Sequence, residues 1–227
     1  MYRCAVIAAA GLSSRMGAFK PLLPFDGEPA VVHLLKTLYV AGIDQIILVT
    51  GHRHRELAEV CAPLPGVTLL HNAHYAQTQM FDSLCLGLSQ LPPRCDRVLL
   101  APADVPLVTA DTVYALAHAG APLLYPSYQH RCGHPISLNA SLVPSLLHHH
   151  GPGGLKGALH ALPIQPVYLT VDDPFIRMDM DLPADYHALL QLHRTFARRH
   201  LYVSQTQYVE RAQLAATPTD RTQYFYP

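Results

Sequence analysis

The sequence predicts an α/β fold, a Rossmann-like, mostly parallel sheet with helices on both faces. Three observations predict it. Short apolar runs of strand type alternate with segments whose apolar residues recur at helical spacing. The first run, Cys4 to Ala10, is continuously apolar, as in a strand buried on both faces. The residues most suggestive of chemistry (Gly11 to Lys20, Gly51, Asn72, Asp104) each directly follow a predicted strand, where open α/β sheets bind ligands.

The elements follow in order. Cys4 to Ala10 opens into a loop of small and basic residues, Gly11 to Lys20. Ala30 to Ala41 has helical spacing and stops at Gly42, a C-terminal cap. Gln45 to Thr50 is a second strand and Arg53 to Cys61 a helix, after which Pro63 and Pro65-Gly66 turn the chain. Val67 to His71 is a third strand, Ser83 to Leu91 a helix, and Arg97 to Ala101 a strand ending in Pro102-Ala103-Asp104. Ala110 to Ala119 is helical, and Pro122 to Tyr125 and Ile136 to Leu138 are short strands. Helices are expected at Ser141 to His148 and Leu155 to Leu162, and strands at Tyr168 to Val171 and Ile176 to Met178. A last helix starts at about Pro183. Residues 1–195 read as one domain, and 196–227, rich in Gln, Thr and Tyr, as a C-terminal extension, arm or tail.

Composition excludes several classes. Of 227 residues, 16 are Lys or Arg and 16 are Asp or Glu, so no basic footprint for nucleic acid is present. No apolar run is long enough to span a bilayer. Met1-Tyr2-Arg3 leads straight into a strand without the zones of a secretory signal, so a cytoplasmic location is expected. The five cysteines are scattered and odd in number, which argues against a disulfide framework or zinc ribbon, and Cys4 is expected to pack as a small apolar residue. Fifteen histidines include the run His148 to His150 before Gly151-Pro152-Gly153-Gly154, and the plainer reading is helix-end histidines facing solvent.

Three features carry chemistry. In Ala8-Ala9-Ala10-Gly11-Leu12-Ser13-Ser14-Arg15-Met16-Gly17-Ala18-Phe19-Lys20, small residues let backbone N–H groups approach an anion, Arg15 offers a fork of donors and Lys20 a mobile charge. The segment resembles a phosphate cradle, though not a Walker A loop, because Gly-Lys-Ser/Thr is absent; a plain strand-to-helix turn with solvated basic residues is the alternative. Asp104 sits between Pro102 and Pro106 at a strand end, a stiff position suited to holding Mg²⁺. Asp179 and Asp181 follow an apolar segment two residues apart, so as strand residues they face one side and can meet one cation. Alternatively, Asp181 caps the helix that Pro183 begins. Asp172-Asp173 reads as a turn.

On these residues the chain resembles the MobA-like nucleotidyltransferase superfamily, and within it the molybdenum cofactor cytidylyltransferases. The family's opening motif, Ala-Ala-Gly-x-Ser-x-Arg-Met-Gly-x-x-Lys, matches Ala9 to Lys20 at every fixed position. Gly51-His52, Asn72, Ser83-Leu84, Asp104-Val105-Pro106, Gly133-His134-Pro135 and Asp179-Met180-Asp181 match further motifs. The chain departs at Gln79-Met80, where relatives carry Gly-Met, and lacks the acidic residue that relatives often place near Gly153-Gly154.

The resemblance implies a glycosyltransferase-A-like catalytic domain and an Mg²⁺-dependent enzyme that moves a nucleoside monophosphate from an NTP to a phosphorylated acceptor. It implies Arg15, Lys20 and Asp104 as catalytic residues. The nucleotide would lie against Ala8, Ala9, Ala10, Gly11, Ser13, Ser14, Arg15, Met16, Gly17, Lys20, Gly51, Asn72, Ser83 and Asp104. Metal would be held by Asp104 with Asp179 or Asp181. His134 either lines the acceptor side or is a structural histidine pinned by Pro135. Lys156 either meets acceptor phosphate or is a solvated lysine at a helix start. Ala9-Ala10-Gly11, where guanylyl-transferring relatives carry Ala-Gly-Gly, points to CTP, with molybdopterin as acceptor and a molybdenum hydroxylase as a maturation partner. GTP with the same acceptor, a cytidylyltransferase acting on a sugar or alcohol phosphate, and a non-catalytic nucleotide-binding module are the other readings.

Overall fold

The computed structural model describes residues 1–197, so all but the first two positions of the expected extension at 196–227 lie outside the described residues. The chain opens with β1 (Tyr2–Ala9), then a small hairpin of β2 (Pro24–Phe25) and β3 (Glu28–Pro29). Next come α1 (Ala30–Val40), β4 (Gln45–Thr50), α2 (His54–Cys61), β5 (Val67–His71), α3 (Met80–Leu88), β6 (Cys95–Pro102) and α4 (Ala110–His118). Strands β7 (Leu123–Tyr128), β8 (Arg131–Cys132) and β9 (Ile136–Asn139) precede α5 (Val143–Leu147), α6 (Gly154–His160), β10 (Val167–Thr170) and α7 (Pro183–Ala197).

The main sheet runs β10-β7-β9-β6-β1-β4-β5, with β8 on β7. β1 pairs in parallel with β4 on one side and β6 on the other, and β4 pairs in parallel with β5. β9 runs antiparallel to both β6 and β7. The chain leaves β1 in one direction for β4 and β5 and returns on its other side as β6. This makes a topological switch point at the carboxyl ends of β1 and β6.

The alternation within β1 shows why both faces are covered. Ala5 and Ile7 join Leu34, Leu35, Leu38, Leu57, Val113 and Leu116 on the face of α1, α2 and α4. Cys4 and Val6 point the other way, to Leu84, Leu88, Leu146, Leu155 and Leu159 of α3, α5 and α6. Each such leucine contributes about 1.5–3 kcal/mol by leaving water. A third cluster (Met16, Phe25, Ala30, Leu107, Phe175, Met180, Leu189) fastens the loop after β1, the hairpin and α7 together.

The expected strand at Ile176 to Met178 is absent; Pro174–Arg177 forms a 3-10 turn instead. The Asp173 carboxylate, itself buried, accepts from Phe175 N–H at 3.0 Å and from Thr109 N–H at 2.8 Å, and Pro174 starts the turn. Phe175 and Ile176 are both buried, and their consecutive burial reflects a turn packed into the core and not a strand covered on both faces like β1. Asp173 is thus a buried bracket rather than a plain turn residue. No helix among the described residues is long and apolar enough to cross a membrane.

Candidate active site

The loop after β1 is shaped by Ser13, whose backbone takes a positive φ of 55°. Its carbonyl accepts from Met16 N–H at 3.0 Å and its hydroxyl from Lys20 N–H at 3.1 Å. Met16 turns inward to the third cluster, so its side chain anchors the loop. Lys20, at the start of a 3-10 turn (Lys20–Leu22), is aimed back across the switch point.

Two acidic segments meet that lysine. After β6, Ala103 N–H donates to Ala8 O at 2.9 Å, which sets Asp104 beside the end of β1. Met180 N–H donates to Asp104 O at 3.0 Å, and the Met180 side chain is fully buried. With Met180 turned in, its neighbours Asp179 and Asp181 are turned out, so the alternation expected of a strand persists in an irregular segment. Lys20 Nζ donates to Asp181 Oδ1 at 2.6 Å and to Asp104 Oδ2 at 3.4 Å. Arg15 Nη1 reaches Asp181 Oδ2 at 2.9 Å. Asp181 is therefore held by two cations and does not cap α7; Asp185 accepts from Leu182 N–H there.

The carboxylates differ electrostatically. The hydrogen bond from Lys20, helped by Arg15, holds the Asp181 carboxyl below its ordinary range. Burial pushes the Asp104 carboxyl upward despite Lys20, and the charge of Asp179 adds to the rise. Asp104 Oδ1 is buried and has no hydrogen-bond partner among the described residues. An orphaned carboxylate oxygen among further carboxylates fits a hard divalent cation. No group of three or more His, Cys, Asp or Glu among the described residues can hold a metal by itself.

A cavity of about 200 Å³ opens beside this charge cluster. It is lined by Ala8, Ala9, Ala10, Gly11, Ser13, Lys20, Ser83 and Asp104, all residues singled out from the sequence. Tyr75, Thr78 and Gln79, which the sequence did not single out as binding residues, complete its wall with Met80. Ser14 and Gly17 line a separate hollow behind the loop with His52 and Arg53.

Asn72 and Gly51 stand one step behind the cavity wall. Asn72 is buried, and its amide donates to Thr78 Oγ1 at 2.9 Å and Ser83 Oγ at 3.1 Å. At Gly51 a β-carbon would lie 2.5 Å from Tyr75 Cβ and 2.6 Å from Ala10 O, so only glycine admits this contact.

The two acceptor-side candidates are not brought together. His134 opens the segment into β9 by a cis peptide to Pro135, and its N–H donates to Ile176 O at 2.7 Å. Burial lowers its imidazole pKa, while the charges of Asp104 and Asp179 work against that lowering. Lys156 lines a different cavity, with Tyr125, Cys132, His160 and Tyr168. The histidine run gathers no metal set; His148 Nδ1 contacts Pro144 O at 2.7 Å and the His149 ring meets Phe81.

Comparison with known proteins adds to this geometry. The model of the MobA-like NTP transferase domain matches residues 5–167. Molybdenum cofactor cytidylyltransferase of Escherichia coli K12 is 30% identical over 186 residues, covering 80% of this chain and 92% of that protein. The crystal structure of Rv0371c from Mycobacterium tuberculosis H37Rv is 26% identical with a TM-score of 0.71, covering 84% of this chain and 98% of that one. The manganese complex of Rv0371c is 25% identical with a TM-score of 0.68, covering 84% and 99%. A nucleotidyl transferase from Methanothermobacter thermautotroptrophicus has the same fold, with a TM-score of 0.76 at 24% identity over 86% of this chain and 99% of that one.

Proposed function

The chain belongs to the MobA-like NTP transferase family, and from that premise we propose that this nucleotidyltransferase moves CMP from CTP to molybdopterin and releases pyrophosphate. The observation that carries the reading is the Lys20 ammonium held between Asp104 and Asp181 at the switch point, beside a cavity walled by the Ala8 to Gly11 backbone. Residues 1–195 form the catalytic unit in this reading.

The triphosphate lies along the loop, with Arg15 and Lys20 on its oxygens. Both cations are engaged with Asp181 in the structure and transfer to phosphate when the nucleotide enters. Asp104, with Asp181 or Asp179 beside it, would hold Mg²⁺. When bound, the ion neutralises charge on the triphosphate. A phosphate oxygen of the acceptor attacks the α-phosphorus in line, and the bond to the bridging oxygen of pyrophosphate breaks. Lys20 stabilises charge developing on the leaving group. Positioning and electrostatics suffice, without a covalent nucleophile.

CTP is favoured by two lines of support. The relative from Escherichia coli is named a cytidylyltransferase, and Ala10 lines the cavity, where its methyl would narrow the space for a purine if the loop backbone approaches the base as the resemblance implies. The experiment is pyrophosphate release with Mg²⁺ and molybdopterin, comparing CTP with GTP, ATP and UTP. Preference for CTP is expected. Preference for GTP would transfer the chain to the guanylyl branch, and no release with intact nucleotide binding would point to another acceptor, such as a sugar or alcohol phosphate.

A further inference from the structure

The wall opposite the first loop contains an aromatic side chain held from three directions. Tyr75 lines the cavity and follows β5 in a segment without regular structure. From below, the missing side chain of Gly51 leaves the hollow that Tyr75 Cβ fills, against the Ala10 carbonyl. From the chain itself, Tyr75 N–H donates to Asn72 O at 3.3 Å, while the Asn72 side chain accepts from His74 N–H at 3.0 Å and grips Thr78 and Ser83. From the side, the His52 ring lies 6.1 Å from the Tyr75 ring and 5.5 Å edge-on from Phe19. His52 N–H also approaches Ala10 O at 3.4 Å. The ring is thus tied to the same strand end that carries Ala10.

From this placement we propose that Tyr75 is the residue that sets the size of base the site accepts, admitting a single-ring base and excluding a double-ring one. The inference deepens the reading of CTP as donor and rests on it. The Ala10 methyl bounds the base pocket from the loop side. Tyr75, fixed against it through Gly51, bounds it from the β5 side. A ring with few torsions, seated on Gly51 and flanked by His52 with its backbone tied to Asn72, cannot retreat cheaply when a larger base enters. Gly51 and Asn72 are positioning residues in this arrangement, because they act through Tyr75.

The test measures binding of CTP and of GTP, each with Mg²⁺, by titration calorimetry on the full chain, with thermal melting as a check of folding. The wild type binds CTP in preference to GTP. Tyr75→Ala shrinks that preference by about tenfold, within the range that steric pocket contacts provide, and does so chiefly by tightening GTP. Tyr75→Phe keeps the wild-type preference, since the ring and not the hydroxyl forms the wall. Gly51→Ala drives the ring into the cavity and weakens CTP. Should Tyr75→Ala fail to melt cooperatively, Tyr75→Leu takes its place, with the same shift expected. Equal weakening of both nucleotides by the substitution, with the ratio unmoved, would overturn the role in base choice and leave the CTP reading standing. A wild type that prefers GTP would overturn both.

Discussion

Lys20 Nζ and Asp181 Oδ1 lie 2.6 Å apart although 161 positions separate them in the chain. This pair is the tightest link across the site and holds together the phosphate loop and the segment before α7. Replacing Lys20 by Met removes a cation that pairs with Asp104 and Asp181 and that, in the proposed mechanism, also stabilises the leaving group. Turnover should fall by about 10²–10³, the loss typical of removing one preorganised donor. Asp181 has a folded carboxyl held below its unfolded value, so its contribution to stability is present above the unfolded value and lost as pH falls through the folded one. The difference in melting temperature between wild type and Lys20→Met should therefore be largest near neutrality and shrink in acid. A difference that is flat with pH would contradict the pairing.

Asp104 presents the opposite sign. Burial raises its carboxyl, so ionised Asp104 weighs against the fold as pH rises through and above its folded value. In the proposed mechanism Asp104→Asn should cut turnover by about a thousandfold or more, because the anionic carboxylate that would hold the metal becomes a neutral amide. It should also raise the melting temperature at pH 7, and that gain should vanish below the ordinary carboxylate range. Activity and stability opposing each other in this way mark a group retained for chemistry.

Gly133 has no room for a side chain. A β-carbon there would fall 2.1 Å from Ile176 O, in the turn that leads to Asp179 and Asp181. Gly133→Ala should cost about 1–3 kcal/mol by overpacking and shift Asp181 away from Lys20. Denaturant melts report the first effect. Pyrophosphate release reports the second, and retention of full activity would separate the turn from the site.

His33 lies on α1, its Nδ1 3.0 Å from Pro106 O and its ring edge-on to His193 of α7. Burial lowers its pKa from 6.5 to about 4, assisted by the nearby charge of His193 and opposed by the Pro106 hydrogen bond, Glu28 and Asp26. The depressed value means stability is complete above 6.5 and is lost as pH falls toward 4, by about 3 kcal/mol in all. His33→Gln should flatten the fall in stability between pH 6.5 and 4.5. An unchanged slope would assign that sensitivity to other groups.

Much of this was legible in the chain because the signals were local. Gln45–Thr50 and Val67–His71 are bounded by turn residues on both sides, and their strands coincide with the apolar runs. The position of the loop from Gly11 to Lys20 was legible because a continuously apolar strand, β1, ends directly before its small residues. Ile176 misled because consecutive apolar residues suit a buried strand as well as a 3-10 turn packed into a core, and Asp173, which decides between them, acts through Thr109 far away in sequence. Tyr75 was not legible, since nothing around it in sequence reveals that Gly51 leaves a hollow beneath it. Asn72 stood out by position, but its partners Thr78 and Ser83 become visible only in space.

The separation between Lys20 and Asp181 also bears on how the protein is made. As the chain emerges from the ribosome, the loop of small residues and its two cations appear early, while the carboxylate that engages both arrives some 160 residues later. A chain interrupted before Met180 would lack both the hydrogen bond to Asp104 and the counter-charge for Arg15 and Lys20. Closing so long a loop costs chain entropy that the contact must offset. On the proposed mechanism, a growing polypeptide therefore holds only part of the site until the segment before α7 has been made and docks beside Lys20.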